Sequence, residues 1–372
     1  MVIVAESFLP SVNGVTNSVL RTVEHLEASG HEAVVVAPGA GPTEIGRSPV
    51  IRVPSVDLPR YDDVRIGIPR PGFTSLMRDL RPDVVHAAAP VVLGAAALRA
   101  ARRIGIPSVA IFQTDLAGFA KRHGLGRMGP RIWNYLAWVH SMADVTLAPS
   151  RASAWTLRAY GVDSVEVWPR GVDLERFHPA RRCPDLHRFL APDGEVLVGF
   201  VGRLAREKQV ERLAPLTRLD GVRVVVVGDG PERKWLERQL PDARFMGFRG
   251  GHELARFHAT NDVFVHTGID ETFCQSLQEA MASGVAVVAP SAGGPLDLVR
   301  QADNGLFWSP EVPETLRGAV AELVVDLGLR TRLGQRARHD VEARPWSTVM
   351  ETLLSTYSRL LARRGPSVRR AA

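Results

Sequence analysis

Two glutamates lie eight residues apart in the segment 267–284, which follows an apolar run and continues as a helical pattern. Amides at the start of a helix favour an anion such as a diphosphate, because they have no partner within the helix. Glu271, before the helix, and Glu279, two turns into it, can accept hydrogen bonds from hydroxyl groups. A sugar and a ribose are natural partners; a helix with an acidic first turn and one surface glutamate is the open alternative.

Arg203 and Lys208 lie together in the loop that follows the strand predicted at 196–201. Two cations in one loop can neutralise a diphosphate. Considered alone, the pair is also compatible with a solvated basic loop. Combined with the two glutamates, it indicates a ligand that carries both a diphosphate and hydroxyl groups.

Two strand ends in the first half of the chain also carry polar residues. Asn13 and Gly14 follow the first predicted strand, and a glycine there lets the backbone approach a phosphate, although a simple turn explains it equally well. Gln113 and Asp115 follow the strand predicted at 108–112. Asp115 can accept a hydrogen bond from an acceptor hydroxyl and Gln113 can hold a sugar hydroxyl; an N-cap aspartate is the alternative.

Several familiar site motifs do not occur in the sequence. There is no GxxxxGK[ST] phosphate loop, no HExxH and no Asp-x-Asp, and the single GxGxxG, at 124–129, does not follow a strand. The Gly-Asp-Gly-Pro turn at 228–231 is interpreted as mainly structural. The sequence therefore argues against P-loop phosphoryl transfer, dinucleotide binding and zinc proteolysis, and it predicts no metal site.

Short β-branched runs alternate with helical patterns along the whole chain, which is typical of parallel sheets covered by helices. A helix is predicted at 17–29 and an amphipathic one at 346–362. We predict two doubly wound α/β domains joined near 170–194, with ligands in a cleft beyond the carboxyl ends of the strands. The predicted strands are 2–5, 32–37, 83–87, 108–112, 145–148, 165–167, 196–201, 222–227, 243–246, 263–265 and 286–289.

The composition fits this organisation and excludes several classes of protein. The 372 residues suffice for two domains, and 45% hydrophobic with 23% charged residues is typical of a globular protein. Two cysteines, Cys183 and Cys274, cannot form a disulfide scaffold. No apolar run reaches about 18 residues, and the chain begins with a strand pattern, so we predict a cytoplasmic protein without a membrane span.

The formal net charge of +6 is unevenly distributed. Residues 1–170 carry +4 (18 basic, 14 acidic), residues 171–348 carry −2 (23 and 25), and residues 349–372 carry +4 (5 and 1). No nucleic-acid-binding motif accompanies the basic charge, so we expect no nucleic-acid partner. The stretch 121–143 mixes tryptophan and tyrosine with arginine, which fits contact with an anionic membrane; a helix that packs its aromatics into the first domain is the alternative.

Together these motifs resemble the retaining glycosyltransferases of family GT4, which have the GT-B fold. Asn13-Gly14, the Arg203 and Lys208 pair, and Glu271-x7-Glu279 with Glu-Ala-Met-Ala-Ser-Gly at 279–284 carry the resemblance. Shorter strings are similar to actinobacterial GDP-mannose-dependent α-mannosyltransferases. They include Phe-Gln-Thr-Asp at 112–115, Trp-Pro-Arg-Gly-Val-Asp at 168–173 and His-Thr-Gly at 266–268.

The resemblance implies a Rossmann-like acceptor domain at 1–170, completed by a final helix and tail at 349–372, and a Rossmann-like donor domain at 171–348. It implies GDP-mannose as the donor and no metal or other cofactor. Arg203 and Lys208 would bind the donor diphosphate, and Glu271 would bind hydroxyls of the transferred sugar. The other implied donor contacts are Asn13 and Gly14, the amides of Phe273, Cys274 and Gln275, Glu279 at the ribose, and Phe248 and Arg249 near the base.

Gln113 stands where many relatives have a histidine, so a histidine-assisted step is not expected. The family implies a front-face transfer in which the leaving phosphate takes the acceptor proton and Arg203 and Lys208 stabilise the departing diphosphate. Asp115 or Gln113 would position the acceptor. Alternatives are a UDP-sugar transferase of the same fold and a non-catalytic sugar-nucleotide binder.

The resemblance leaves the acceptor open among several chemistries. Many relatives glycosylate lipids, so we expect a phosphatidylinositol mannoside or a glycosyl diacylglycerol, with the protein at the inner face of the plasma membrane. A soluble polyol is also compatible with a basic, aromatic acceptor side.

Overall fold

The chain forms two compact units, Met1–Pro169 with Ser347–Ala372 (unit 1) and Arg170–Trp346 (unit 2). The computed structural model describes residues 1–364 except 12, 59–60, 70, 115, 117 and 119–125. The sequence predicted one domain at 1–170 with 349–372 and a second at 171–348. These predicted boundaries lie within two residues of the limits of the two units.

Unit 1 is built on a mainly parallel sheet. Its strands are β1 Val2–Ala5, β2 Val34–Pro38, β3 Glu44–Ile45, β4 Ser48–Val53, β5 Ser55–Leu58, β6 Tyr61–Gly67, β7 Val85–Ala88, β8 Ser108–Ile111, β9 Val145–Ala148 and β10 Val165–Val167. The order across the sheet is β10-β9-β8-β7-β1-β2-β4-β3, and only β3 pairs antiparallel in it among the described residues. β5 and β6 form a separate antiparallel pair.

Helices cover this sheet with regularly spaced apolar residues. In the first helix Val15, Val19, Val23 and Leu26 are buried against the β1 and β2 region, which is the spacing of a single helix face. The helices are α1 Gly14–Ala28, α2 Phe73–Asp79, α3 Leu93–Ile104, α4 Gly129–His140, α5 Arg151–Ala159 and, at the end of the chain, the C-terminal helix Trp346–Arg364.

The C-terminal helix completes unit 1 through buried contacts. Burial lowers the pKa of His86 to about 3, and Nδ1 of its neutral imidazole shares a hydrogen bond with the Tyr357 hydroxyl, with Nδ1 and Oη 2.6 Å apart. The Trp168 indole N–H donates to the carbonyl of Val349 at 2.9 Å. These bonds anchor the last helix to the sheet formed by the first part of the chain.

Unit 2 is a second doubly wound sheet, parallel throughout its described pairs. Its strands are β11 Val196–Val201, β12 Val222–Val227, β13 Arg244–Gly247, β14 Val263–Val265, β15 Ala286–Pro290 and β16 Leu306–Trp308. The order β13-β12-β11-β14-β15-β16 reverses between β11 and β14. Ligands of such sheets bind beyond the carboxyl ends of the two strands at this reversal, so the loops after β11 and β14 are the expected site.

Helices cover both faces of this sheet. One apolar cluster packs Leu277, Met281 and Phe257 against one face, and a second packs Leu216, Leu236 and Leu333 against the other. The helices are α6 Pro184–Leu190, α7 Arg233–Gln239, α8 Gly251–Thr260, α9 Gln275–Ala282, α10 Glu314–Val325 and α11 Leu327–Val341. Short 3₁₀ turns occur at Gly126–Met128, Pro179–Arg181, Arg206–Lys208, Val210–Leu213 and Gly294–Asp297.

The predicted α/β fold class is confirmed, and six predicted strands, β1, β9, β10, β11, β12 and β14, have the predicted bounds. Strands β3 to β6 and β16 were not predicted. Strands β4 to β6 contain proline, aspartate or arginine, and β3 and β16 are only two and three residues long, so only pairing with a neighbouring strand reveals them. The first helix begins at Gly14 and not at 17, because the Asn13 side chain accepts from the amides of Val15 and Thr16.

Candidate active site

Three side chains meet at the reversal point of the unit 2 sheet. Lys208 lies in the loop after β11, and Glu271 and His266 lie in the loop after β14. Lys208 Nζ is 2.5 Å and His266 Nε2 is 3.1 Å from the same oxygen, Glu271 Oε1. The imidazole is 2% exposed, whereas the lysine and glutamate side chains are 23% and 15% exposed. The imidazole therefore lies buried beneath a mostly buried carboxylate, and the lysine beside it is slightly more exposed than the carboxylate.

The charges in this cluster stabilise one another. Burial alone would raise the pKa of Glu271, but Lys208 and His266 outweigh burial and hold that pKa well below its usual value. Burial alone would lower the pKa of His266, yet Cys274 and Glu271 raise it to about 9. At neutral pH the carboxylate is thus ionised and the imidazole is protonated, which leaves a fixed anion able to accept hydrogen bonds from hydroxyl groups.

Glycines allow these loops to approach one another. A Cβ on Gly268 would lie 3.1 Å from His266 Nε2 and 3.2 Å from Glu271 Oε1. Gly293, at φ +62°, and Gly294 pack against the backbone at 271–273, and the Gly294 amide donates to the Glu271 carbonyl at 2.8 Å. The Gly293-Gly294 turn therefore supports the loop that carries the carboxylate.

The 228–231 turn supports the cationic loop in the same way. A Cβ on Gly228, at φ +144°, would lie 1.9 Å from the Gly202 carbonyl oxygen. The Leu204 amide donates to the Asp229 carbonyl at 2.9 Å. Arg203, between these contacts, has an exposed side chain two residues beyond the end of β11. This turn has the structural role expected from the sequence.

Helix α9 begins directly after the carboxylate loop. Phe273 and Cys274 are buried, and Cys274 adopts the left-handed conformation at φ +90° just before the first helical residue. The Gln275 side-chain amide donates to the Gly171 carbonyl at 3.0 Å, and the Gln278 amide donates to the Arg170 carbonyl at 3.1 Å. The start of the helix is thus fixed to the chain segment that opens unit 2.

The remaining predicted donor residues of unit 2 are spread along the same sheet edge and the helix. Glu279 lies on α9 with Oε2 3.5 Å from Nε2 of the fully buried His258. Phe248, just after β13, is 69% exposed. The neighbouring Arg249 pairs with Glu253 at 3.0 Å and lies 6.0 Å from the Phe257 ring centroid. The exposed Phe248 ring can stack on a flat ligand.

The predicted residues of unit 1 lie at carboxyl ends of its strands. Asn13 follows β1; its side-chain oxygen caps α1 and its amide nitrogen donates to Ser7 Oγ at 2.7 Å. Gly14 is the exposed first residue of that helix, and Gln113 is half-buried after β8. Asp115 lies outside the described residues. The capping role of Asn13 accounts for its side-chain oxygen, and its role as a donor contact stays a prediction.

His266, Gly268 and Gly293 were not predicted to have a role, although the string His-Thr-Gly at 266–268 contains the first two. A single histidine at the end of a buried strand gives no sequence signal that separates a core residue from a site residue. Within the described ranges, no group of three or more His, Cys, Asp or Glu side chains is arranged to hold a metal ion. None of the described helices is long and apolar enough to cross a membrane.

Comparisons with known proteins agree with this geometry. A model of Glycosyltransferase Family 4 matches residues 12–176, and a model of the glycosyl transferases group 1 matches residues 185–340. The chain is 47% identical to a GDP-mannose-dependent α-mannosyltransferase of Corynebacterium glutamicum, over 97% of this chain and 89% of that one. The chain therefore belongs to glycosyltransferase family 4.

Two further proteins are similar to this chain, one in sequence and one in structure. The chain is 28% identical to a GDP-mannose-dependent α-(1-6)-phosphatidylinositol dimannoside mannosyltransferase of Mycobacterium tuberculosis, over 95% of this chain and 94% of that one. The structure of sucrose-phosphate synthase from Thermosynechococcus elongatus superposes with a TM-score of 0.79 at 20% identity, covering 97% and 99% of the two chains. The predicted GT-B fold, with two Rossmann-like halves, is confirmed.

Proposed function

We propose that this protein transfers mannose from GDP-mannose to a lipid acceptor with retention of configuration. The observation that carries the proposal is the contact between the Glu271 carboxylate and the Lys208 ammonium at the reversal point of the unit 2 sheet. Such a group suits the hydroxyls of a transferred sugar next to a diphosphate. The identity of the sugar nucleotide is proposed from the C. glutamicum relative.

In the proposed reaction, the basic and acidic residues of the donor site bind different parts of the sugar nucleotide. Lys208 and Arg203, from the loop after β11, stabilise the negative charge that develops on the leaving diphosphate. Glu271 binds hydroxyls of the sugar, Glu279 binds the ribose, and the exposed Phe248 covers the base. The acceptor oxygen attacks the anomeric carbon on the face that the diphosphate leaves, and its proton passes to the leaving phosphate oxygen. Retention then needs no protein nucleophile.

A nucleotide panel tests the donor. We expect GDP and GDP-mannose to raise the melting temperature more than UDP, ADP or their sugar conjugates at equal concentration. A ligand at about 100 times its Kd stabilises the folded protein by about 2.7 kcal/mol through mass action. Differential scanning fluorimetry measures the shift, and a Phe248→Ala variant serves as a control for base contact. A larger shift with UDP-sugars would reject GDP-mannose as the donor.

The lipid acceptor is supported by an exposed aromatic and basic surface on α4. Met128, Arg131, Tyr135 and Trp138 lie on one side of this helix, and Tyr135 and Trp138 are 40% and 46% exposed. The Arg99 guanidinium of α3 lies 5.3 Å from the Trp138 ring centroid. Exposed tryptophan and tyrosine beside arginines suit the headgroup region of an anionic membrane.

The other side of α4 packs into unit 1, as the alternative interpretation expected. Leu136 and Val139 are buried, and Trp133 stacks on Tyr160 with ring centroids 5.0 Å apart. Within the described part of the stretch, 126–143, one side of α4 thus packs into unit 1, and we propose that its exposed side contacts an anionic membrane. Residues 121–125, including Lys121 and Arg122, lie outside the described residues.

Vesicle flotation tests this surface. We expect the protein to float with vesicles containing phosphatidylinositol and not with phosphatidylcholine alone, because the surface charge of anionic lipid attracts arginine. Trp138→Ala and Arg131→Ala should each reduce the floated fraction severalfold, whereas Trp155→Ala, at a 72% exposed tryptophan on α5, should not. Equal flotation with both lipids, or an equal effect of Trp155→Ala, would contradict the membrane contact and favour a soluble acceptor.

A further inference from the structure

The Glu271 carboxylate is held asymmetrically. Lys208 and His266 both donate to Oε1, and among the described residues no donor reaches Oε2. A carboxylate with one oxygen engaged twice keeps the lone pairs of the other for a ligand. The direction in which Oε2 points is therefore set by the two groups that hold Oε1.

His266 is the more rigid of these two groups. Its ring packs parallel to that of Phe200, with centroids 6.2 Å apart and planes inclined by 12°. The His266 backbone carbonyl accepts a hydrogen bond from the Trp308 indole N–H at 3.0 Å, and the His266 backbone amide donates to the Val288 carbonyl at 2.9 Å. A side chain that is 2% exposed and fixed in this way cannot reach a substrate, so any role it has in the reaction acts through Glu271.

Lys208 alone cannot keep Glu271 Oε1 in a fixed position. Its ammonium group carries three donors on a flexible stem, and the donor diphosphate competes for it with Glu271. His266 is shielded from that competition because it lies beneath the carboxylate. We propose that His266 is a positioning residue that holds Glu271 Oε1, so that Oε2 is presented to the transferred sugar while Lys208 turns to the diphosphate.

This inference rests on the proposed function for the identity of the sugar and for the contacts of Glu271 with the sugar and of Lys208 with the diphosphate. The titratable groups near His266 are Glu271 and Cys274 from its own loop and α9, with Lys208 on the far side of Glu271. Other strands of the sheet contribute Phe200 and Trp308, whose side chains do not titrate. The contact between His266 and Glu271 can thus be measured without any substrate.

The closing experiment compares His266→Leu, which removes the donor, with His266→Gln, whose amide can donate to Oε1. We expect His266→Leu to lower kcat for mannosyl transfer by about 10- to 100-fold, the loss that follows removal of a hydrogen bond to a charged group. His266→Gln should recover most of that loss. In His266→Leu the Kd for GDP, which lacks the sugar, should stay unchanged. The additional affinity of GDP-mannose over GDP should fall. His140→Leu, at another buried histidine, is the matched control.

A nuclear magnetic resonance titration of the free protein completes the test. The His266 imidazole should titrate near pH 9, and Glu271→Gln should move its pKa downward. An unshifted titration, equal kcat for His266→Leu and wild type, or equal losses for His266→Leu and His266→Gln would each overturn the proposal. Wild type that binds no GDP-mannose would instead reject the proposed donor, and the titration would still decide whether His266 holds Glu271.

Discussion

Replacing Arg203 with alanine is expected to lower kcat by about 10²- to 10³-fold, because the leaving diphosphate gains negative charge as the glycosidic bond breaks. Arg203 is exposed in the loop after β11 that also holds Lys208, so its loss should change the stability of the fold little. The effect should therefore appear in steady-state kinetics with GDP-mannose and not in the melting temperature.

Arg206→Ala is the matched control for this variant. Arg206 lies in the same loop, is exposed, and pairs with Glu232 at 3.5 Å. We expect nearly wild-type kcat for it. Asp115→Asn, at the predicted acceptor side, should lower kcat far less than Arg203→Ala does. Comparable losses at Asp115 and Arg203, or full turnover by Arg203→Ala, would reject the assignment of diphosphate stabilisation to this arginine.

Glu271→Gln is expected to abolish most activity and also to destabilise unit 2. Transfer should fall by about 10³-fold, because the sugar loses an anionic acceptor that strengthens as positive charge develops at the anomeric carbon. The free energy of unfolding should fall by about 1.5–3 kcal/mol at pH 6, because Lys208 and His266 lose hydrogen bonds to their shared anionic partner. Kinetics and urea denaturation measure the two effects, with Asp270→Asn at the exposed neighbour as the control.

The loss of stability caused by Glu271→Gln should become smaller at both low and high pH. Glu271 has a lowered pKa, so its contribution is present above its ordinary value of 4.5 and is lost as the pH falls below it. His266 has a raised pKa, so its contribution is full below 6.5 and is lost as the pH rises toward 9. The stability difference between wild type and Glu271→Gln should be largest between about pH 5 and 6.5. A difference that does not vary from pH 4 to 9 would show that the three groups are not coupled.

Much of the fold was predictable because its signals are local. The runs 196–201, 222–227 and 263–265 are apolar, β-branched and buried in parallel pairing, and their bounds in the structure are those predicted. Strands such as β4 and β16 depend on a neighbour for pairing, so a window of sequence does not reveal them. The sequence pattern predicted the C-terminal helix itself. Its attachment to unit 1 depends on residues far away in the chain, such as His86.

For the candidate site, residue type and position after a strand identified Arg203, Lys208 and Glu271, because carboxyl ends of parallel strands collect ligand-binding groups. Only the tertiary structure showed that β11 and β14 are adjacent, which brings Lys208 and Glu271 within 2.5 Å. It also placed the buried His266 against the same carboxylate oxygen. Chemical type is a property of each residue alone, whereas pairing, burial and shifted pKa values arise from neighbours far apart in the chain, and these decide which charges act together.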